Sequence, residues 1–238
     1  MTVDAPDIVV PVREGAVNRQ LRYALRSWAA NLPHGRVWIV GYVPPWVKTA
    51  RHLPLNQGGT KYENTTAAVR RACEHPLISD PFILCNDDFF VMHRTPEVPV
   101  LHRGPVREVE AYYVARASGA YLRGMRETAA LLGELGHADP LSYELHVPMT
   151  VDKTQMLHAL DVGKHLNVVH KRTLYGNLAE LGGGEIRDVK ILHRAPTGYT
   201  PQDVFLSTMP DSFANGHVGQ FIRKAFPESS VYERPGRY

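Results

Sequence analysis

The chain has 238 residues, of which 44% are hydrophobic and 21% are charged, and its formal net charge at pH 7 is +3. This composition is typical of a globular domain, and the two cysteines, Cys73 and Cys85, indicate neither a disulfide framework nor a zinc site. The mild basicity permits a phosphate-bearing ligand or a nucleic acid without requiring either. Because no apolar run has the length of a membrane span and the N-terminus lacks a signal-peptide profile, we expect a cytoplasmic protein.

The beginning of the chain predicts a strand, a helix and a second strand. Residues 7–12 and 37–42 are apolar runs of strand length. Between them, apolar residues recur at helical spacing over residues 18–30, and Asn18 is the expected N-cap. Such an order predicts a parallel sheet with helices packed on its faces.

The most informative segment is an apolar run over residues 82–90 that is interrupted by Asn86, Asp87 and Asp88. The run predicts a buried central strand, and acids at its end would lie at the carboxyl edge, where open α/β sheets bind ligands. Two adjacent carboxylates repel each other, which indicates a divalent cation that could also hold phosphates. The alternative is a surface turn, because Asn-Asp-Asp favours turns. Before this strand, a long irregular segment, residues 44–61, precedes a helix that we expect Asn64 to cap.

The second half of the chain predicts further helices and shorter strands. Helical patterns cover residues 119–135, 152–160, 172–181 and 213–226, and strand-like segments cover residues 143–147, 186–192 and 204–207. A polar tail, residues 231–238, is expected to fray. Together these elements predict one α/β domain with a mostly parallel, Rossmann-like central sheet flanked by helices and with a helical C-terminal portion.

Several sequence blocks occur in an order found in a known family. They are Leu-Arg-Tyr-Ala-Leu-Arg-Ser-Trp at 21–28, Pro-Trp-Val at 45–47 and Asn-Asp-Asp-Phe-Phe at 86–90. In these blocks the chain resembles the Stealth family of sugar-phosphate transferases, which have a GT-A-like core. Shorter similarities follow at His146-Val147-Pro148, Asp152-Lys153 and His170-Lys171-Arg172, so the resemblance covers roughly residues 21 to 177 with gaps.

Two departures from that family affect the expected reaction. Where the family has a first strand ending in Trp-Val-Asp-Gly, this chain has Pro-Val-Arg-Glu-Gly at 11–15, and Met-Pro-Asp at 209–211 replaces a late Leu-Asn-Asp block. The apparatus for transferring a sugar together with its phosphate is therefore incomplete. Simple glycosyl transfer from a nucleotide sugar fits these residues better.

The resemblance implies a metal-dependent GT-A glycosyltransferase that moves a sugar from a nucleotide-sugar donor to an acceptor hydroxyl. Residues 1–100 would bind the nucleotide sugar and residues 101–230 the acceptor. Compact chains of this sort also resemble glycosyltransferases of bacteriophages, whose acceptors can be modified DNA bases or virion proteins, and such an enzyme would act in the host cytoplasm.

Two other functions stay open at this point. One is sugar-1-phosphate transfer of the Stealth type, and the other is a non-catalytic module that binds DNA or carbohydrate. The second rests on a group of basic and aromatic residues that could stack bases and contact phosphates: Tyr112, Tyr113, Arg116, Tyr121, Arg123 and Arg126. At this spacing the same residues also fit the two faces of an ordinary helix.

The resemblance and the residue chemistry together assign the site. The metal, Mn²⁺ or Mg²⁺, is expected on Asp88, with Asp87 or Asn86 as a further ligand, and would stabilise the departing diphosphate. Asp87 could instead cap the strand end. Binding of the nucleotide sugar is predicted at Pro11, Val12, Arg13, Lys61, Asn64, Asn86, Asp87 and Lys171.

Three residues are the predicted catalytic group. His146 is the candidate general base, because an imidazole can accept a hydroxyl proton near neutral pH. Arg172 is expected to clamp phosphate oxygens beside Lys171, and Asp211 is a reserve carboxylate. The alternatives are a structural role for His146 and simple surface charges for Arg13, Lys171 and Arg172.

Overall fold

The computed structural model describes residues 5–15, 17–114 and 119–235. The strands are β1 (Ile8–Val12), β2 (Val37–Gly41), β3 (Arg51–Leu53), β4 (Phe82–Leu84), β5 (Phe89–Val91), β6 (Leu101–His102), β7 (Met149–Val151), β8 (Gly184–Glu185), β9 (Lys190–Ile191) and β10 (Phe205–Thr208). The helices are α1 (Arg19–Asn31), α2 (Lys61–Glu74), α3 (Val106–Val114), α4 (Ala120–Glu134), α5 (Lys153–Val162), α6 (Lys171–Leu178), α7 (Pro210–Asn215) and α8 (His217–Ala225).

The main sheet has five strands in the order β3-β2-β1-β4-β7. Strands β1 to β4 run parallel, and only the edge strand β7 is antiparallel to its neighbour β4 among the strands of this sheet. Parallel strands buried on both faces have continuous apolar sequences, as β1 does. The predicted class, mixed α/β with a mostly parallel central sheet flanked by helices, is confirmed.

Alternate residues of β1 belong to two cores on opposite faces of the sheet. Ile8, Val10 and Val12 pack in the cluster that contains the apolar face of α1. Val9 points the other way and packs in the cluster that contains residues of α2, α5 and α6. This alternation follows from the two-residue period of a strand, and it places helices on both faces of the sheet.

Helix α1 joins the main sheet to a second sheet of three strands, ordered β5-β10-β9. Asn18 is its N-cap, as predicted, with a side-chain oxygen that accepts from the Leu21 amide. At the other end, Trp28 Nε1 donates to the Phe89 carbonyl at 3.0 Å, and Asn31 Nδ2 donates to the Val91 carbonyl at 2.8 Å. These two side-chain bonds from α1 therefore hold β5 in place.

The C-terminal tail packs against α1 as far as the structure describes it. Tyr232 is buried, and Arg26 donates two hydrogen bonds to the Glu233 carboxylate, at 2.7 and 2.8 Å. The prediction of a frayed tail is wrong for residues 231–235, and residues 236–238 lie outside the described part of the chain.

Several element boundaries differ from the predictions. Residues 143–147 form an irregular segment instead of a strand, and the final helix is divided at Gly216 into α7 and α8. Asn64 does not cap α2, because Thr60 does so in a reciprocal capping box with Glu63. Helix α3 and strand β3 were not predicted.

The longest helix in the described ranges, α4, has 15 residues. None of the helices in those ranges combines the length and the hydrophobicity that crossing a bilayer requires.

Candidate functional site

Two adjoining cavities lie beside the carboxyl ends of β1 and β4. The β1 cavity has a volume of about 160 Å³ and is lined by Pro11, Val12, Arg13, Gln57, Lys61, Asn64, Thr65, Ala68, Asn86 and Asp87. The α6 cavity has a volume of about 260 Å³, and its wall includes His146, Lys171 and Arg172 together with Glu144, Tyr121 and Tyr62. Pro11, Lys61, Thr65 and Asn86 line both cavities, so the two lie side by side. The structure thus brings together every residue predicted to bind the nucleotide sugar.

Of the two acids in the Asn-Asp-Asp turn, Asp87 is the one that lines the β1 cavity. Its Oδ2 accepts a hydrogen bond of 2.6 Å from Asn18 Nδ2, so the N-cap of α1 also fixes this carboxylate. Burial, together with the negative charge of Asp88, raises the pKa of Asp87 to about 6. Asp87 can therefore exchange a proton near neutral pH.

Asp88 points away from both cavities, toward the second sheet. It is 8% exposed, and its Oδ2 accepts hydrogen bonds from Lys190 Nζ at 2.7 Å and from Ser207 Oγ at 3.0 Å. This arrangement is not the one we predicted, in which Asp88 binds a metal directly. The carboxylate is already neutralised by a protein cation.

The residues at the end of β4 do not fit the predicted Mn²⁺ or Mg²⁺ site. Within the described residues there is no group of three or more His, Cys, Asp or Glu side chains that could hold a metal ion. Of the two acids, Asp88 is paired with Lys190, and Asp87 faces the cavity with one oxygen bonded to Asn18. A divalent cation that binds a diphosphate is usually held by one or two protein carboxylates together with phosphate and water oxygens, and the pairing of Asp88 with Lys190 would leave only Asp87 to supply one here.

His146 lies in the wall of the α6 cavity and is held by a carboxylate that the sequence analysis missed. Its Nδ1 is 2.9 and 3.0 Å from the two carboxylate oxygens of Asp188. Arg103 lies 3.7 Å behind that carboxylate. A neutral imidazole that donates through Nδ1 has its lone pair on Nε2, the arrangement of a general base.

The protonation state of Asp188 supports this arrangement. Burial by itself would raise its pKa, but the hydrogen bond and charge of His146, together with the charge of Arg103, hold the pKa below its usual value. Asp188 therefore stays ionised and orients the ring. No sequence signal identified it, because 42 residues separate it from His146.

Lys171 begins α6 and extends toward α2. Its Nζ is 3.3 Å from Thr65 Oγ1, and Lys61, at the start of α2, lines the same cavity. Burial lowers the pKa of Lys171; the charge of Arg172 lowers it further, and Glu144 opposes both. Two ammonium groups from separate helices thus line one cavity.

Glu144 lines the same cavity and caps the start of α6. Its Oε1 accepts from the Arg172 amide at 3.0 Å and from the Thr173 amide at 3.3 Å. Burial alone would raise its pKa, but the charges of His170, Lys171 and Arg172 outweigh that effect and lower it. Glu144 is another wall residue that the sequence analysis did not select.

Arg172 has a different role from the phosphate clamp that we predicted. Its guanidinium is buried and donates to the carbonyls of Leu145 at 3.1 Å, Val147 at 2.7 Å and Leu84 at 3.3 Å. These bonds fix the backbone on both sides of His146 to the end of β4. Arg172 therefore holds the backbone around His146, and few of its N–H donors are left for a ligand.

Asp211 is not part of the site. It is exposed at the start of α7, where Arg194 donates to both carboxylate oxygens at 2.6 and 2.8 Å. The hydrogen bonds from Arg194 and Asn215 lower the pKa of Asp211 to about 2. A surface carboxylate that stays ionised and lines neither cavity does not fit the predicted reserve base.

A side-chain network fixes the rim of the β1 cavity. Asn64 donates to the Gln57 and Gly59 carbonyls and accepts from the Gly59 amide. Gln57 in turn donates to the Val12 carbonyl at 2.7 Å and accepts from the Glu14 amide at 3.1 Å. The loop before α2 is thereby bonded to the segment that follows β1.

Three of the basic and aromatic residues that suggested a nucleic-acid module are engaged with other side chains of the protein. Tyr113 accepts from Arg103 at 3.0 Å, and Arg126 pairs with Glu110 at 2.6 Å. Tyr121 packs on His170, with ring centroids 4.5 Å apart, and lines the α6 cavity. Arg116 lies outside the described residues.

Comparisons with known proteins give a distant structural similarity. No protein-family model matches the chain, and no curated protein matches it. Among solved structures, the apo-form glycosyltransferase GlyE of Streptococcus pneumoniae TIGR4 is 9% identical, with 94% of this chain and 61% of that chain covered and a TM-score of 0.48. A further GlyE structure is 10% identical, with 94% and 50% covered and a TM-score of 0.38. The chain thus spans less than two thirds of the GlyE chains, and this weak similarity carries no argument about its activity.

Proposed function

We propose that this chain is a glycosyltransferase that moves a sugar from a nucleotide-sugar donor to an acceptor hydroxyl. The observation that carries the proposal is the meeting of His146, held by Asp188, with Lys61 and Lys171 in one cavity beside β1 and β4. A base and two cations in one cavity are what displacement of a diphosphate by a hydroxyl requires.

The nucleoside would occupy the β1 cavity. Crevices at the carboxyl ends of parallel strands are the usual ligand sites of open α/β sheets. Asp87 faces this cavity and can accept hydrogen bonds from ribose or sugar hydroxyls, while Arg13 lies at its rim. From there the diphosphate would pass along the residues that line both cavities and reach the α6 cavity.

In the proposed reaction the acceptor oxygen forms a bond to the anomeric carbon as that carbon's bond to the diphosphate breaks. His146 Nε2 takes the acceptor proton, and Asp188 stabilises the resulting imidazolium. The electron pair leaves on the diphosphate, whose growing negative charge Lys61 and Lys171 stabilise. Arg172 contributes by holding the backbone around His146.

The acceptor, a modified DNA base of a bacteriophage or a virion protein, follows from the sequence resemblance alone, as does action in the host cytoplasm. If DNA is the acceptor, its affinity should fall steeply as salt rises, because phosphate contacts release counterions.

The test is product analysis after a screen of nucleotide sugars by thermal stabilisation. We expect a stabilising nucleotide sugar to yield free nucleoside diphosphate. Nucleoside monophosphate would instead indicate sugar-1-phosphate transfer. His146→Ala should lower turnover at least a hundredfold and change the affinity for the nucleotide sugar less than threefold; the reverse pattern would contradict the role as a base.

A further inference from the structure

We infer that the transfer proceeds without a divalent cation, with Lys61 and Lys171 binding the diphosphate, because Lys190 already neutralises Asp88, the residue predicted as the direct metal ligand. This inference rests on the proposed function. It reverses the metal dependence that the sequence resemblance implies.

The pairing of Lys190 with Asp88 is set by the register of the second sheet. Lys190 on β9 lies beside Ser207 on β10, and Ser207 lies opposite Phe89 on β5, directly after Asp88. Three adjacent strands therefore bring the ammonium, the hydroxyl and the carboxylate to one point. The two groups are enclosed, with 19% of the Lys190 side chain and 12% of the Asp88 side chain exposed.

A metal bound to Asp88 would have to displace this lysine. The displaced ammonium would lose its 2.7 Å partner while a doubly charged ion took a position close to it. Both effects are unfavourable inside a protein, where an unpaired charge is poorly solvated and like charges repel. Since Asp88 already has its counterion, it stabilises the turn that presents Asp87.

The diphosphate can find its counter-charges on the other side of the site. Lys61 and Lys171 are the first residues of α2 and α6, and both line the α6 cavity. Lys171 is 3.3 Å from Thr65 on the α2 side, so the two helix starts face the same space. Ammonium groups bind phosphate oxygens as point charges, and these two outnumber the single carboxylate of Glu144 in the same wall, which leaves one positive charge for the one negative charge that a departing diphosphate gains.

The first experiment compares metal-stripped protein in EDTA with the same protein in Mn²⁺, using the nucleotide sugar that gives the largest thermal stabilisation. We expect transfer rates that agree within twofold. A loss of more than tenfold in EDTA that Mn²⁺ restores would overturn the inference and leave the proposed function intact. A protein that no nucleotide sugar or nucleoside diphosphate stabilises, with or without Mn²⁺, would overturn the proposed function itself.

The second experiment replaces the buried pair with neutral groups of similar size, Asp88→Asn with Lys190→Met. Because the charges are removed together, neither is left unpaired. We expect the double variant to keep at least a third of the wild-type transfer rate. A double variant with the wild-type circular dichroism spectrum and more than a hundredfold loss of rate would overturn the inference.

The third experiment tests the cations. Lys171→Met should weaken the binding of a nucleoside diphosphate in EDTA at least tenfold, whereas the control Lys164→Met, at an exposed position after α5, should change it less than twofold. Equal affinities for both variants would remove Lys171 from the diphosphate site and refute the inference.

Discussion

Replacing Asp87 with asparagine should make the protein more stable at neutral pH. The carboxyl group is enclosed beside Asp88, and these two effects raise its pKa from 3.8 to about 6. The folded protein therefore binds a proton at Asp87 more tightly than the unfolded chain does. By linkage, the stability that depends on this group is lost as pH rises from about 4 to about 6. Asparagine cannot titrate, and its side-chain oxygen can still accept the hydrogen bond from Asn18.

The size of the effect follows from the two pKa values. At pH 7 the group is ionised in both states, and the full shift of about two units corresponds to about 3 kcal/mol. At pH 4.5 the folded form is still protonated and the unfolded form is only partly ionised, which leaves about 1 kcal/mol. Asp87→Asn should therefore exceed the wild type in unfolding free energy by a margin that grows by about 2 kcal/mol between these pH values.

The measurement is urea unfolding of both proteins at pH 4.5 and pH 7, with Asp161→Asn as the control. Asp161 lies on the exposed side of α5, where it pairs with Arg70, so its substitution should change stability by less than about 0.5 kcal/mol at either pH. If Asp87→Asn is no more stable than the wild type at pH 7, the carboxylate is not held in the unfavourable environment described above, and the reasoning fails.

Three further substitutions test the roles of Asp188, Arg172 and Asp211. Asp188→Asn should lower the turnover number at least tenfold and leave the affinity for the nucleotide sugar within twofold, because only the orientation of His146 is lost. Steady-state kinetics measures the turnover number and calorimetry measures the affinity, and equal losses in both would contradict a positioning role. Arg172→Met should lower the urea unfolding free energy by about 3 kcal/mol or more, because three buried carbonyls lose their donor, and a cost below about 1 kcal/mol would count against those bonds. Asp211→Asn should leave the transfer rate within twofold in the same kinetic assay, since Asp211 lies on the surface with Arg194, and a large loss would restore it as a candidate base.

Local sequence signals predicted the features that depend on residues a few positions apart in the chain, such as helix caps and apolar runs. The cap of α1 at Asn18 needs only the nearby Leu21 amide, and it was predicted correctly. Strand β1 was also predicted correctly, because its continuous apolar run is a local signal, although its partners β2 and β4 are distant in the chain. The start of α5, predicted at residue 152, is likewise local, because the Asp152 side chain accepts from the Gln155 amide. The Thr60 cap of α2 also has a local signal, because Thr-x-x-Glu is the sequence of a capping box. Asn64 was therefore the wrong residue to predict as the N-cap of α2.

The sequence by itself predicted a buried central strand that ends in acids at the carboxyl edge of a parallel sheet, where a ligand is expected. The structure has this strand at residues 82–84, next to β1. Only the tertiary structure decided which acid faces the β1 cavity, because the pairing of β5 with β10 turns Asp88 toward Lys190 and leaves Asp87 on the cavity wall. It likewise decided that Asp188 holds His146 and that Arg172 holds the backbone around it. These contacts join residues 25 to 102 positions apart, and a distance between side chains on different elements depends on how the elements pack, which no local pattern encodes.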